Sequence, residues 1–260
     1  GKFDNSEIGL GGLAGGMYGN RFGGRENLAQ RGGSKITENA VQVGLEWLKR
    51  HQSDNGKWDI AEFTELCERE PKEEKYEGVC DGKGSKGYSP GVTGLALLCF
   101  LGSGNTSKIG PYQEQVKKGL RYLIQQQNKS TGLIGPAQKH YMYNHSIATL
   151  ALTEAYALSQ NAPHLKRPTS KAVGYLLRAR NPGKAWRYSY RSGDSDVSVT
   201  GWCIMALKSA KVAGIKVSPK VFGQVTNYLN KLTDKNYYTT GYIWDPKTKS
   251  PSYTPPVKNS

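Results

Sequence analysis

The sequence predicts an all-α protein, an array of similar α-hairpins laid side by side. Three observations predict it. The stretch 44–58 reads Gly44-x2-Trp47-Leu48-x3-Gln52-x3-Gly56-x-Trp58, and the chain repeats it. Each copy is followed by a second, more apolar helical segment. The copies keep step: Tyr122, Tyr175 and Tyr228 are 53 residues apart, and so are Leu97, Leu150 and Cys203.

The elements follow in chain order. Residues 1–35 open with a Gly-rich stretch: positions 9–33 hold ten Gly together with Arg21, Arg25 and Arg31. Such a composition buries too little apolar surface to order itself and reads as a flexible tether. The repeat domain is expected over 36–245. Its first amphipathic helix, over 37–52, carries a stripe of Val41, Leu45 and Leu48, then a polar cap, a Gly turn and Trp58 folded back over the helix end. An acidic insertion over 59–89 stretches this copy, because Trp47 to Tyr122 is 75 residues rather than 53. The apolar helix over 90–102 contains Val92 to Leu101.

The second copy runs Lys118-Gly119-x2-Tyr122-Leu123-x3-Gln127-x4-Gly132, on a helix over 112–127, and its apolar partner covers 145–159. The third runs Lys171-Ala172-x2-Tyr175-Leu176-x3-Arg180-x2-Gly183-x2-Trp186, on a helix over 168–180 that starts at Pro168, and is followed by 197–213. A worn fourth amphipathic helix covers 219–232, around Tyr228 and Leu229. No apolar helix follows it, and 246–260 is a tail rich in Pro, Ser and Lys. With no initial Met and three hairpins and a half, the sequence reads as part of a larger protein.

A helix apolar on one face covers something, whereas a helix apolar all round is surrounded. Amphipathic helices outside and apolar helices inside give an α/α toroid, here an incomplete or open one. The first copy resembles, almost position by position, the QW motif of the squalene–hopene cyclase and prenyltransferase (prenyltransferase/squalene oxidase) repeat family. The likeness covers about 36–245 and is sharpest in the first copy. The chain looks most like members of that family that are repeat domains rather than proven cyclases.

Charge is uneven. The net charge is +15, and from His164 onward there are 17 Lys and Arg against 4 Asp and Glu. A basic half fits either a solvated face or an acidic partner: nucleic acid, an anionic polymer, an anionic lipid headgroup or an acidic protein. No RRM, KH or helix-turn-helix pattern is present, so specific nucleic-acid binding is not expected. No apolar run is long enough to span a membrane. The four Cys are no framework: Cys99 and Cys203 fall within apolar helices as small buried groups, while Cys67 and Cys80 share the insertion and could pair in an oxidising compartment. No metal or cofactor is implied, since the Cys67–Cys80 spacing has no nearby His. The tether-like N-terminus points to a cell-envelope or exported protein.

Apolar helices that run parallel present their N-termini on one rim, where free N–H groups and partial positive charge gather. The loops expected to feed it carry Tyr88, then Tyr141, Tyr143 and His145, then Trp186, Arg187, Tyr188, Arg191, Asp194 and Asp196. These are the candidate ligand contacts for a polar or anionic ligand such as a sugar or peptide. The bland alternatives are packing for the aromatic set and satisfied rim positions for the His residues. Asp196 also precedes an apolar helix and suits its N-cap. The family resemblance adds a second role. Class II terpene cyclases carry D-x-D-D-T, to which Asp194-Ser195-Asp196-Val197-Ser198 is similar, with Asp194 as first acid, Asp196 as the proton donor to an alkene and Val197 in place of the third acid. The zinc-binding Asp-x-Cys of the protein prenyltransferases is absent, as are a C-G-E-Q thioester run, a Walker loop, a nucleophile elbow and H-E-x-x-H. Three functions therefore stand: a ligand-binding domain, a terpene cyclase (an isomerase or lyase), and a scaffold that docks an acidic partner.

Overall fold

The computed structural model describes residues 33–67, 82–160, 162–234, 236–237, 239–245 and 248–252. Among these the protein is helical apart from one two-stranded ribbon. The order is α1 (Lys35–Arg50), α2 (Thr64–Cys67), α3 (Ser89–Gly102), α4 (Gln113–Gln125), α5 (Tyr141–Leu158), α6 (Pro163–Ala179), α7 (Val197–Val212), α8 (Pro219–Leu232), β1 (Ile243–Asp245) and β2 (Ser250–Ser252). No helix among the described residues is long and apolar enough to cross a membrane.

Amphipathic and apolar helices alternate as the repeat demands. The apolar α3, α5 and α7 form a row, α3 packed on α5 and α5 on α7. α5 is the centre of that row, and 16 of its 18 residues are buried. Close packing of α3 on α5 depends on missing side chains: a Cβ on Gly94 would lie 3.1 Å from the Ala148 Cα, and one on Gly91 2.6 Å from the Asn144 Oδ1. The amphipathic α4 lies against α3 and α6 against α5. Leu97, Leu150 and Cys203 are all buried. Two apolar clusters result, one around α3, α4 and α5 and one around α5 to α8. Leu98 and Ile215 touch both and make the core continuous.

The turns after the amphipathic helices explain the motif. Gln52 Nε2 donates to the carbonyls of Gly56 and, in the next amphipathic helix, Gln115, each at 3.0 Å. Gln127 Nε2 does the same to Gly132 and Pro168, at 3.3 and 2.9 Å. Gly56 and Gly132 have φ of 92° and 87°, and a Cβ on either would collide with the carbonyl of Lys118 or Lys171. Both reasons require glycine. The two struck carbonyls are 53 residues apart, so the sequence period is a spatial one. Trp58 and Trp186 are buried and each donates its indole N–H, at 2.7 Å, to the carbonyl ten residues back, Leu48 and Leu176. The third turn departs: Arg180 stands where Gln would, and a Cβ on Gly183 would meet nothing within 4 Å among the described residues. The fourth repeats the turn geometry (Asp234 N–H to Thr239, Gly241 N–H to Leu232), and then the chain enters the β1–β2 ribbon instead of a helix.

Several boundaries differ from expectation. α5 begins at Tyr141 rather than 145, so Tyr141, Tyr143 and His145 belong to its first turns and not to a loop. α6 begins at Pro163, and Pro168 sits inside it. Pro163 has the fixed φ that suits a first helical position, and so removes the need for Pro168 to start the helix. Trp47 does not behave like its counterparts: it is 38% exposed and stacks on His51 at 3.9 Å, because α1 lies at the edge of the row. Cys99 is exposed, contrary to its expected burial, and is a free thiol like the buried Cys203. Cys67 is disulfide-bonded. Its expected partner Cys80 lies outside the described residues, as do most of the Gly-rich tether and the end of the tail.

Candidate functional site

The starts of α3, α5 and α7 lie together. Asn144 Nδ2 in α5 donates to the carbonyl of Gly87 just before α3, at 2.9 Å. Tyr143 Oη, also in α5, donates to Ser198 Oγ in α7, at 2.8 Å. The three helix N-termini therefore share one rim, but its parts differ.

At the α7 end the rim is closed. Asp196 is the N-cap, its Oδ1 accepting from Val199 N–H at 2.8 Å. The residue is 0% exposed, its Oδ2 has no hydrogen-bond partner among the described residues, and Arg187 Nε approaches to 3.9 Å. Burial pushes the Asp196 carboxyl above its ordinary pKa, against the pull of Val199 N–H and Arg187. Arg187 forms its closer ion pair with Asp194. Burial works against the Arg187 charge, but Asp194, Tyr188 and Asp196 together more than offset it, so its pKa is raised. Tyr188 and Tyr242 share a hydroxyl contact at 2.8 Å, and Tyr228 Oη donates to the Ser195 carbonyl. Burial drives the Tyr228 and Tyr242 hydroxyls to hold their protons well above the usual phenol range. The backbone beyond α8 lies across this end: Val197 N–H donates to the Tyr242 carbonyl at 3.1 Å, and Asp196 pairs with Ile243.

Five candidate residues thus meet at α7: Tyr143, Arg187, Tyr188, Asp194 and Asp196. The others do not join them. Tyr141 is buried and bonded to Tyr175 Oη at 3.0 Å. Arg191 lies at the end of α6, its Nε donating to the Arg178 carbonyl at 2.9 Å. Trp186 and His145 are core residues. His145 Nδ1 accepts from Ile134 N–H, and its Nε2–H donates to Ala172, both at 3.1 Å, so both ring nitrogens are committed. In the other repeats that Nδ1 role belongs to Thr93 and Thr200, which accept from the N–H of Trp58 and Trp186. Burial lowers the His145 pKa to about 3. Tyr88 is at the α3 end, its hydroxyl donating to the Lys139 carbonyl at 2.9 Å.

At the α3 end the rim is open. A cleft of about 260 Å³ is lined by Lys57, Asp59, Glu62, Lys86, Gly87, Ser89, Pro90, Tyr122, Gln126 and Pro136. Asp59 pairs with Lys57 and accepts from the N–H groups of Ala61 and Glu62. Burial alone would raise its pKa, but these partners bring it below the ordinary carboxylate value. Lys86 and Glu62 approach to 3.6 Å at the exposed mouth. Tyr122 is held up to about 12 by burial and by the charge of Asp59. Sequence reasoning reached this place only through Tyr88 and the loop before α3. Lys57 and Asp59 flank the motif Trp58, which was the available signal; Tyr122 shares the 53-residue period and so read as packing. Among the described residues no group of three or more His, Cys, Asp or Glu gathers as a metal site would require. Neither protein-family models nor curated proteins nor solved structures contain a match to this chain.

Proposed function

We propose that this chain is the binding domain of a larger exported protein, an open α/α toroid that holds a small polar ligand where its apolar helices begin. The observation that carries the reading is the cleft of about 260 Å³ at the start of α3, walled by charged and hydroxyl groups. Binding sites are concave and place a few polar groups to fix orientation. The disulfide at Cys67 supports export, since such bonds persist in oxidising compartments. The test is titration calorimetry against monosaccharides, amino acids and dipeptides. Binding at about 1 mM or tighter, abolished by Pro136→Trp at an exposed position on the cleft wall, supports the reading. Silence across the panel refutes it.

One observation favours a second reading, a cyclase that protonates an alkene through Asp196: its Oδ2 is buried, unpartnered and raised in pKa. Against it, the same carboxyl caps α7 and lies under Tyr242. Incubation with squalene separates the two readings. A cyclic product that disappears in Asp196→Asn would replace the binding function with an isomerase.

A further inference from the structure

The cleft presents a hydroxyl that the described residues do not bond. Tyr122, Tyr175 and Tyr228 occupy the same place in α4, α6 and α8 and are 8%, 7% and 7% exposed. Two of the three hydroxyls are satisfied by protein: Tyr175 by Tyr141, and Tyr228 by the Ser195 carbonyl. The Tyr122 hydroxyl has no partner among the described residues, and it lines the cleft. Its ring is packed away, but its oxygen, unlike the buried Asp196 Oδ2, is accessible from the cleft. The start of α3 lies beside it: its first residues, Ser89 and Pro90, form part of the wall, and, as at α4, α5, α6 and α8, no side chain among the described residues caps the helix.

The charges define the chemistry. Two cations, Lys57 and Lys86, face two carboxylates, Asp59 and Glu62. A lone anion would enter beside Asp59 and Glu62 and be repelled. A neutral sugar would strip water from the loose Lys86–Glu62 pair and return no charge to either. A ligand with both charges meets both needs. The volume, about 260 Å³, falls below the roughly 300–1,000 Å³ of sites for drug-sized molecules, so the ligand is small.

We infer that the cleft binds a zwitterion of amino-acid size, its carboxylate against the Tyr122 hydroxyl, Lys57 and Ser89 at the start of α3, its ammonium against Glu62. This rests on the binding function proposed above and names its ligand class. The zwitterion turns Glu62 from Lys86 toward its own ammonium, so Glu62 selects and Tyr122 anchors.

The probes are the free amino acids, with methyl glycosides as neutral ligands, and acetate and methylammonium as the two half-ligands. Binding is followed by ligand-observed NMR and calorimetry on the whole chain. At least one amino acid should bind, and acetate or methylammonium alone should bind more weakly. Tyr122→Phe should weaken binding about tenfold, the loss of one hydrogen bond to a charged group, and leave the melting temperature of the free protein unchanged. Glu62→Gln, at the exposed mouth, should weaken it similarly and carries the same comparison should Tyr122→Phe fail to fold. Glycosides that bind where amino acids do not would overturn the zwitterion and leave the binding function standing. No binding by any probe would overturn both. Amino-acid binding unchanged in both variants would place the ligand elsewhere.

Discussion

The two ends of the rim are built from the same parts and finished differently. At α7 the outer tyrosine, Tyr228, is bonded to Ser195, the helix is capped by Asp196, and Tyr242 lies over the start of the helix. At α3, among the described residues, no group bonds the hydroxyl of the outer tyrosine, Tyr122, and no side chain caps the helix, and a cleft remains. Residues before α7 supply the bond and the cap, and the element that follows α8 supplies the cover. After α4 the chain turns through Gly135 and Pro136 and moves on to α5; after α8 it crosses back over α7 and pairs with it. A repeat can therefore hold an open site or a sealed one without any change in its helices.

Four experiments sharpen or break this comparison. The largest effect concerns His145, which does in the second repeat what Thr93 and Thr200 do in the first and third. Its folded pKa of about 3 lies far below the unfolded value, roughly 6.5. The unfolded chain binds the extra proton, so stability falls as pH drops from about 6.5 toward 3, by roughly 4 kcal/mol if the whole shift is expressed. Urea unfolding across that range should show the slope, and His145→Gln should flatten it. A native protein with no slope there would mean that the ring is charged or reached by water.

The second effect separates the joints. Gly132→Ala meets both a positive φ and the Lys171 carbonyl, while Gly183→Ala meets a positive φ alone. The latter should cost about 1–2 kcal/mol, and the former clearly more. Equal losses would mean that the second joint gives way as easily as the third. The third effect concerns Asp196, whose raised pKa makes its charged form the less stable one in the fold. The folded chain then binds the extra proton, so this group's contribution is present at low pH and is lost as pH rises from about 3.8 through the folded value. Asp196→Asn keeps a capping oxygen. It should remove this dependence and hold or gain stability at pH 7; a large loss there would show that the charge itself is needed. The smallest effect is between tyrosines. Tyr228→Phe removes a bonded hydroxyl and should cost about 1 kcal/mol, while Tyr122→Phe should cost nothing measurable.

Hairpin order, the amphipathic and apolar pairing and the cap at Asp196 were legible because they depend on short-range period and chemistry. Helix starts were less so. Pro168 looks like a beginning until Pro163 supplies one, and Tyr141 to His145 look like a loop because their Tyr, Asn and His are polar, although α5 buries them against α3, α6 and α7. The cleft was the hardest to read. Tyr122, Tyr175 and Tyr228 are indistinguishable by spacing, and what each meets at the neighbouring apolar helix, Tyr141 for Tyr175 and the Ser195 carbonyl for Tyr228, decides which hydroxyl is left alone. Ile134 taught a similar lesson: it stands where Trp58 and Trp186 stand in their repeats, and His145 supplies a hydrogen bond from a direction the motif does not show.

The glycine-and-glutamine turns also set how the molecule bears load. Gly56 and Gly132 each seat against the next amphipathic helix, and Gln52 and Gln127 bolt the seat with two bonds. The turn at Gly183 has neither. A force drawn along the amphipathic helices would meet two locked couplings and one loose one, so the joint between α6 and α8 would slide first, while Tyr228 and Tyr242 kept α8 and its ribbon tied to the start of α7. In a larger protein that would place the compliance beside the sealed end of the rim and keep the open cleft on the stiff side.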